Sequence, residues 1–486
     1  MELGFEKMQL PYLRQLLSQT KEMELTQEAK LPEQLPDVRD ILAAWGQVLI
    51  RSKEWRSNSI GINGGVLCWV MYVPEGEDMP RTVDAWLPFQ MLLALPESSD
   101  DGQIWVDPAL KLVDARVTGA GRIMARACVN LQVKAAVPDN AQLYKLPLME
   151  PDIQLLQKNV SLQLPCEAGE KSFVMDEEFS LEGDPAEKLL YYTLQPVITE
   201  QKVMAGKLVF RGTAWIHGLY QTESGPQKFS VEIPFAQYVQ LNMDYEPDAV
   251  AWVCPAVTGL EMDLTGENRV HMKAGIIGQY VIFESKQIPV VEDAYSTERN
   301  LVMQTHQLSL PNLVKTQKQP VFADFVSADD GMWIDGMFYA DHPQMQRNSE
   351  DVQLDLRGRY QLLFRDDNGQ VQGRAGKWEH TQKQEGEDGI PSDMRLYAVS
   401  AAQPSGVELE WELMTLEEMP IQTVSGLCLS EPEKSYEERP SLILRRKGGD
   451  SLWNIAKAAG STVEKIMEAN GLDGEPPADK MLLIPT

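Results

Sequence analysis

The chain has 486 residues, 72 of them acidic and 44 basic, and a net charge of −28. That length exceeds what one hydrophobic core organises and predicts three or four domains. The acidity argues against nucleic acid or an anionic membrane as partner of the main body, since both favour Lys and Arg.

Residues 1–18 read as a separate N-terminal segment, with a short amphipathic helix from Met8 to Leu17 interrupted at Pro11. Glu2 and Glu6 stand where a signal peptide carries basic residues, and no sufficient apolar run follows. No window approaches a membrane span. The cysteines (Cys68, Cys128, Cys166, Cys254 and Cys428) are odd in number, dispersed and without a C-x-x-C. That pattern suits buried thiols in a reducing compartment.

From about Thr20 strand-like runs alternate with turn clusters, and helical periodicity is scarce; Asp40 to Trp45 suggests one helical turn or two. An internal repeat sets the architecture. Ile60-x-Ile62-x-Gly64, followed by Tyr72, is matched by Leu208-x-Phe210-x-Gly212, followed by Tyr220. Leu87-Pro88-Phe89 is matched by Ile233-Pro234-Phe235. The segment from Pro108-Ala109 through Thr118-Gly119 to Arg122 and Ala127 returns, at one constant offset, as Pro255-Ala256 through Thr265-Gly266 to Arg269 and Ala274. A third, worn copy shows Leu310-Pro311, Met332-x-Ile334-x-Gly336 and Pro404-Ser405-Gly406, and lacks the Pro-Phe pair. Within it Arg365-Asp366-Asp367-Asn368-Gly369 is a hairpin turn, because Asn-Gly accepts positive φ. Gly376–Ser392 is polar and reads as a long loop.

Alternation along each copy places apolar residues on one sheet face. The fold expected is mostly β: three repeated antiparallel β domains plus a small βααβ module. The domains fall at 19–145, at 146–297 with a linker at 146–170, and at 298–432, the third divergent. Prolines and polar composition also suggest linkers near Pro138–Glu170, near Pro289–Asn300 and, as a charged tether, at 433–440.

Chemistry is hard to find in this sequence. His217, His271, His306, His342 and His380 are far apart, without a Cys or carboxylate set at ligand spacing, so no metal is expected. Gly119-Ala120-Gly121 falls in a hairpin and lacks the rest of a dinucleotide fingerprint. With so many carboxylates, any glycosidase pair would be arbitrary. Trp69, Trp86, Trp105, Trp215 and Trp252 lie in strand-like runs and read as core. No catalytic residue, cofactor or metal is assigned; the repeats point to binding and scaffolding.

The module at 441–486 is the most legible part. Leu442–Leu444 reads as a strand, broken by Gly448-Gly449-Asp450. Asp450 or Ser451 caps a helix from Leu452, with Leu452, Ile455, Ala456 and Ala459 on one face. Gly460 stops it, and Ser461 or Thr462 caps a second helix, with Val463, Ile466 and Met467 inward. Asn470-Gly471 ends that helix, and Met481–Ile484 is a closing strand. The six basic residues here, Arg445 and Arg446 among them, offset its six acidic ones, so the excess negative charge sits on the repeats.

This segment resembles the LysM module at Gly449, Asp450, Ser451, Leu452, Trp453, Ile455 and Ala456, at Ala469-Asn470 with Leu472, and at the Ile484-Pro485 exit. The resemblance implies a groove between the first strand–helix loop and the second helix–strand loop, which in LysM modules usually binds N-acetylglucosamine polymers. β repeats with the I-x-I-x-G and Pro-Phe motifs, followed by one LysM, resemble the SipL-type spore coat assembly proteins, built from SPOCS domains and LysM. That resemblance implies a cytoplasmic adaptor of the mother cell at the forespore surface. Its LysM would bind stage IV sporulation protein A, the ATPase of the coat basement layer, while the β repeats recruit or brace other coat proteins. The contact rim is then Asp450, Ser451, Leu452, Trp453, Asn470, Leu472 and Asp473, with Arg445 and Arg446 available to acidic groups. The alternative is a cell-wall protein whose LysM binds peptidoglycan, which requires export. A hydrolase is a third possibility, against which the lack of a His/carboxylate or Cys/His cluster weighs.

Overall fold

The computed structural model of the chain describes residues 2–31, 36–145, 152–266, 268–326, 331–347, 351–385, 390–430 and 441–485. A short strand β1 (Glu2–Gly4) precedes the first repeat. That repeat comprises β2 (Glu6–Lys30), β3 (Val38–Arg56), β4 (Ser59–Pro74), β5 (Arg81–Ala94), β6 (Gln103–Gly119) and β7 (Arg122–Lys145). β3, β4 and β5 form an antiparallel meander, while β7 lies between β2 and β6 in a second sheet.

The second repeat copies this plan. It has β8 (Ile153–Ser180), the meander β9 (Lys188–Met204), β10 (Lys207–Thr222) and β11 (Gly225–Gln240), then β12 (Val250–Gly266) and β13 (Arg269–Ser296), with β13 between β8 and β12. The third has β14 (Leu301–Asp324), β15 (Met332–Ala340), β16 (Gln344–Arg347), β17 (Asp351–Arg365), β18 (Val371–Glu385), β19 (Ile390–Ala398) and β20 (Gly406–Leu429). β15 and β16 both pair with β17 and act as one interrupted strand, and β20 lies between β14 and β19. The LysM segment follows as β21 (Leu442–Arg446), α1 (Leu452–Ala459), α2 (Val463–Asn470) and β22 (Met481–Pro485).

The repeat motifs of the sequence turn out to be one cross-strand contact. Gly64 pairs with Phe89, and Gly212 with Phe235. A Cβ on Gly64 would lie 2.3 Å from the Leu49 carbonyl and 2.7 Å from the Phe89 ring; on Gly212 it would lie 2.3 Å from the Val197 carbonyl and 2.5 Å from the Phe235 ring. Glycine is required because the ring lies flat over the strand backbone. The Thr-Gly-x-x-Arg hairpins are matched in detail: Gly121 and Asn268, at corresponding turn positions, have φ of 63° and 60°. Asn tolerates this left-handed conformation better than most residues.

In the third repeat the expected strand is displaced. Met332-x-Ile334-x-Gly336 lies in β15, the first strand of the meander, not in its central strand. The central strand β17 carries Leu354-x-Leu356-x-Gly358, and Gly358 pairs with Trp378 in place of a phenylalanine. The ring over Gly358 is instead Phe338 of the first meander strand, β15, 2.1 Å from where a Cβ would stand, so the contact comes from the other side and escapes a search for Pro-Phe. At the Asn-Gly turn Gly369 has φ of 79°, and Asp366 accepts from the Asn368 and Gln370 amides at 2.9 Å each. Gly376–Glu385, expected as loop, belongs to β18, and 390–392 to β19; 386–389 lie outside the described residues.

Several expected boundaries give way to strand. Residues 8–17, expected as a helix, lie in β2, with Leu13 and Leu17 buried. Asp40–Trp45 lies in β3. Residues 153–170, expected as linker, belong to β8, and Pro289–Ser296 to β13; 146–151 and the tether at 433–440 lie outside the described residues. The prolines that suggested breaks are accommodated for one reason. β6 pairs with β7 only as far as Ala136, and β12 with β13 only as far as Phe283. Beyond those points Pro138 and Pro289 have a strand on one side alone, so a missing N–H costs no ladder bond.

Those extensions make three two-stranded arms, β2–β7, β8–β13 and β14–β20, that share a core. Ala141 and Leu143 pack with Leu162, Leu164, Ile288 and Val290 and with Leu310 and Ile421. Farther along, Phe5 meets Ile153, Val291, Val424 and Leu427. β1 adds to β20, so the start of the chain seals the third repeat. Each head has its own sandwich core, and a further cluster joins Trp45, Trp69 and Met71 to Leu190, Tyr191 and Leu219 and to Ile334 and Leu363. Of the tryptophans expected in cores, Trp69 and Trp252 are buried, but Trp86 is 36% exposed, lying across Gly65 under Arg51.

Candidate functional site

α1 and α2 pack on one face of the β21–β22 ribbon because Leu452, Ile455, Ala456 and Ile466 recur at helical spacing and meet Leu482 and Ile484 from the ribbon. Ser451 caps α1, its hydroxyl accepting from the Asn454 amide at 3.2 Å, and Thr462 caps α2, accepting from Lys465 at 3.1 Å. Gly460 and Gly471 end the helices at φ of 66° and 61°.

The seven rim positions have distinct surroundings. Asp450 pairs with Arg445. Ser451 holds the cap, and Leu452 is buried in the module core. Asn470 donates to the Ile466 and Leu483 carbonyls at 2.7 and 2.6 Å and accepts from the Leu483 amide at 2.8 Å, tying α2 to β22. Leu472 packs against the core at its edge, and Asp473 is exposed. The two loops that flank the expected groove are joined: Glu475 accepts from the Leu452 amide at 2.8 Å and pairs with Lys447 at 3.1 Å.

Trp453 is engaged within the chain. Its indole N–H donates to Asp293 at 2.7 Å, and its ring meets Tyr295 edge-on, with centroids 4.8 Å apart. Lys457, one turn on, reaches the same carboxylate at 2.6 and 2.8 Å. Tyr295 is buried in the LysM core and donates to the Ser461 carbonyl at 2.9 Å. Asp293 and Tyr295 belong to the end of β13, just past a register shift after Val291; such a bulge re-aims side chains. Burial raises the Asp293 carboxyl, but Lys457 and Trp453 outweigh it and hold the group below its ordinary value. Sequence reasoning missed Asp293, Tyr295 and Lys457. The only signal was an aromatic residue two positions after an acidic one in a stretch read as linker.

A second polar centre lies where the heads meet, around a cavity of 210 Å³ lined by residues of all three repeats, Gln47, Asp107, His217, His342 and Arg395 among them. His342 lies 3.3 Å from Asp107, and His217 lies 2.9 Å from Asp335, to which the Tyr191 hydroxyl also donates. These contacts bring side chains of different repeats together. Among the described residues no three His, Cys, Asp or Glu side chains converge as for a metal. All five cysteines are free, and burial pushes the Cys68 thiol up to about 12. Among the described residues no helix is long and apolar enough to cross a membrane, which says nothing of membrane-spanning strands.

The architecture is one of repeated antiparallel β domains followed by a terminal βααβ module. Comparison with protein families makes this specific. Residues 185–264, β9 to β12 of the second repeat, match the SipL SPOCS domain, and residues 447–485 match the LysM domain. The chain thus resembles the SipL type, with a SPOCS match followed by a LysM match, a likeness that connects it to sporulation. Neither a curated protein nor a solved structure matches it.

Proposed function

We propose that the chain is a non-catalytic adaptor of spore coat assembly, working in the mother-cell cytoplasm at the forespore surface. Its LysM module binds the coat-basement ATPase, stage IV sporulation protein A, and its β repeats recruit or brace other coat proteins. The observation that carries this reading is the pairing of a SPOCS domain with a LysM module in one chain. The Glu475 bridge supports a protein over a sugar polymer, since it ties together the loops between which a glycan would lie. The rim then acts in two ways. Asp473 and the part-exposed Asp450, Ser451, Trp453 and Leu472 are the positions from which contact is made. Leu452 and Asn470 hold the loops that present them.

The test is capture of the full chain by two baits, the purified ATPase and insoluble peptidoglycan. Retention by the ATPase alone is expected. Retention by peptidoglycan alone would sink the adaptor reading in favour of wall binding.

A further inference from the structure

The β21–β22 ribbon breaks the usual rule for a sheet with one covered face. The rows Leu442↔Pro485, Leu444↔Leu483 and Arg446↔Met481 share a face, since side chains alternate along each strand. The other face, with Ile443, Leu482 and Ile484, packs under the helices. Outward positions of such a ribbon are ordinarily polar. Here Leu442 is 54% exposed, Leu444 62%, Met481 50% and Leu483 39%. Four large apolar side chains on strands this short make a contiguous patch, which marks an interaction surface on soluble domains. The helices hold the module against β13 through Trp453, Lys457 and Ser461, so the patch faces away from that contact.

We propose that this outer ribbon face is a protein-docking surface, whose occupant is a segment of a partner protein carrying apolar side chains and a carboxylate opposite Arg446. Arg446 is exposed on the same face as the leucines, which supplies the charge complementarity. A second copy fits poorly, because two-fold pairing would set Arg446 against Arg446 and bring together bodies of net charge −28. A glycan fits poorly as well: the face offers neither an aromatic ring nor side-chain acceptors. This deepens the adaptor reading and rests on it, adding a surface distinct from the loop rim.

The test uses the full chain carrying Leu444→Lys with Met481→Lys, and separately Arg446→Glu, titrated with the purified ATPase. Each site points outward, so melting temperatures should match the unsubstituted chain. The double variant is expected to weaken binding at least tenfold, and Arg446→Glu several-fold, more at low salt. Unchanged affinity in both folded variants would overturn the docking face and leave the adaptor reading standing. An unsubstituted chain that does not bind the ATPase would overturn the adaptor reading, and this surface with it. A dimer in solution that Leu444→Lys converts to monomer would assign the face to a second copy, against the proposal.

Discussion

At the scale of single residues, Asp293 is the informative side chain. One carboxylate at a strand end receives an indole N–H and a lysine ammonium from α1. Hydrogen bonds to a charged group contribute about 1.5–3 kcal/mol each when sheltered. Lys457 is 38% exposed, so solvent screens its share and the indole bond dominates. Asp293→Ala should therefore loosen the module from β13 by about 2 kcal/mol while leaving the LysM fold intact. Hydrogen exchange in α1 and the indole N–H resonance of Trp453 report both events. The pH dependence follows from the lowered carboxyl. A carboxylate with a depressed folded-state value contributes fully above its free value, near 4, and loses that contribution as pH falls through the folded value. Docking should thus hold at neutral pH and weaken below about pH 4. A flat acid profile, or an Asp293→Ala chain with unchanged α1 exchange, would remove Asp293 from this role.

At the scale of elements, the N-terminal strand shows where local pattern loses to pairing. Met8, Leu13 and Leu17 are compatible with helix spacing, and Pro11 suggests a break. Yet Glu6–Lys30 pairs with β7 almost without interruption, from Glu6↔Lys145 to Lys30↔Arg122. The ladder and the shared arm core, neither visible in a local window, decide the conformation. The same blindness turned the ends of β7, β8 and β13 into expected linkers. The motifs that were legible share one property: each is fixed locally, as a turn needing positive φ, a capped helix or a glycine beneath a ring. The rim was legible as a place in the LysM module, whereas its contact with β13 depends on residues far away in sequence. A truncation separates the two views. Removing residues 1–18 should strip β7 of its partner from Lys134 to Lys145 and open the arm core. The expected result is loss of exchange protection along β7 and a markedly lower melting temperature. A chain that melts unchanged would restore the view of this segment as an appendage.

At the scale of the whole molecule, the three repeats meet at Tyr191. Trp45 of the first repeat stacks on its ring, with centroids 4.1 Å apart and planes at 8°, and Asp335 of the third accepts its hydroxyl. Burial, and then the Asp335 carboxylate, push the phenol well above its ordinary value, so it remains a donor at any ordinary pH. Asp335 is 1% exposed and also faces His217 at 2.9 Å. This buried acceptor is costly to remove, because the Tyr191 hydroxyl is then left without a partner where water does not reach. Asp335→Ala should lower the free energy of unfolding by about 3 kcal/mol. Asp335→Asn, which keeps an acceptor oxygen, should cost less. The form of the transition carries the larger question. The arm cores and the Tyr191 cluster each mix side chains from all three repeats, so unfolding one repeat strips apolar cover from the others. Urea denaturation should therefore show a single transition for the β body, shifted to a lower midpoint by Asp335→Ala with its slope unchanged. Two resolved transitions in the unsubstituted chain would mean that the repeats are independent beads. A scaffold would then act through three separate surfaces; a single cooperative body presents its partners with one fixed arrangement of them.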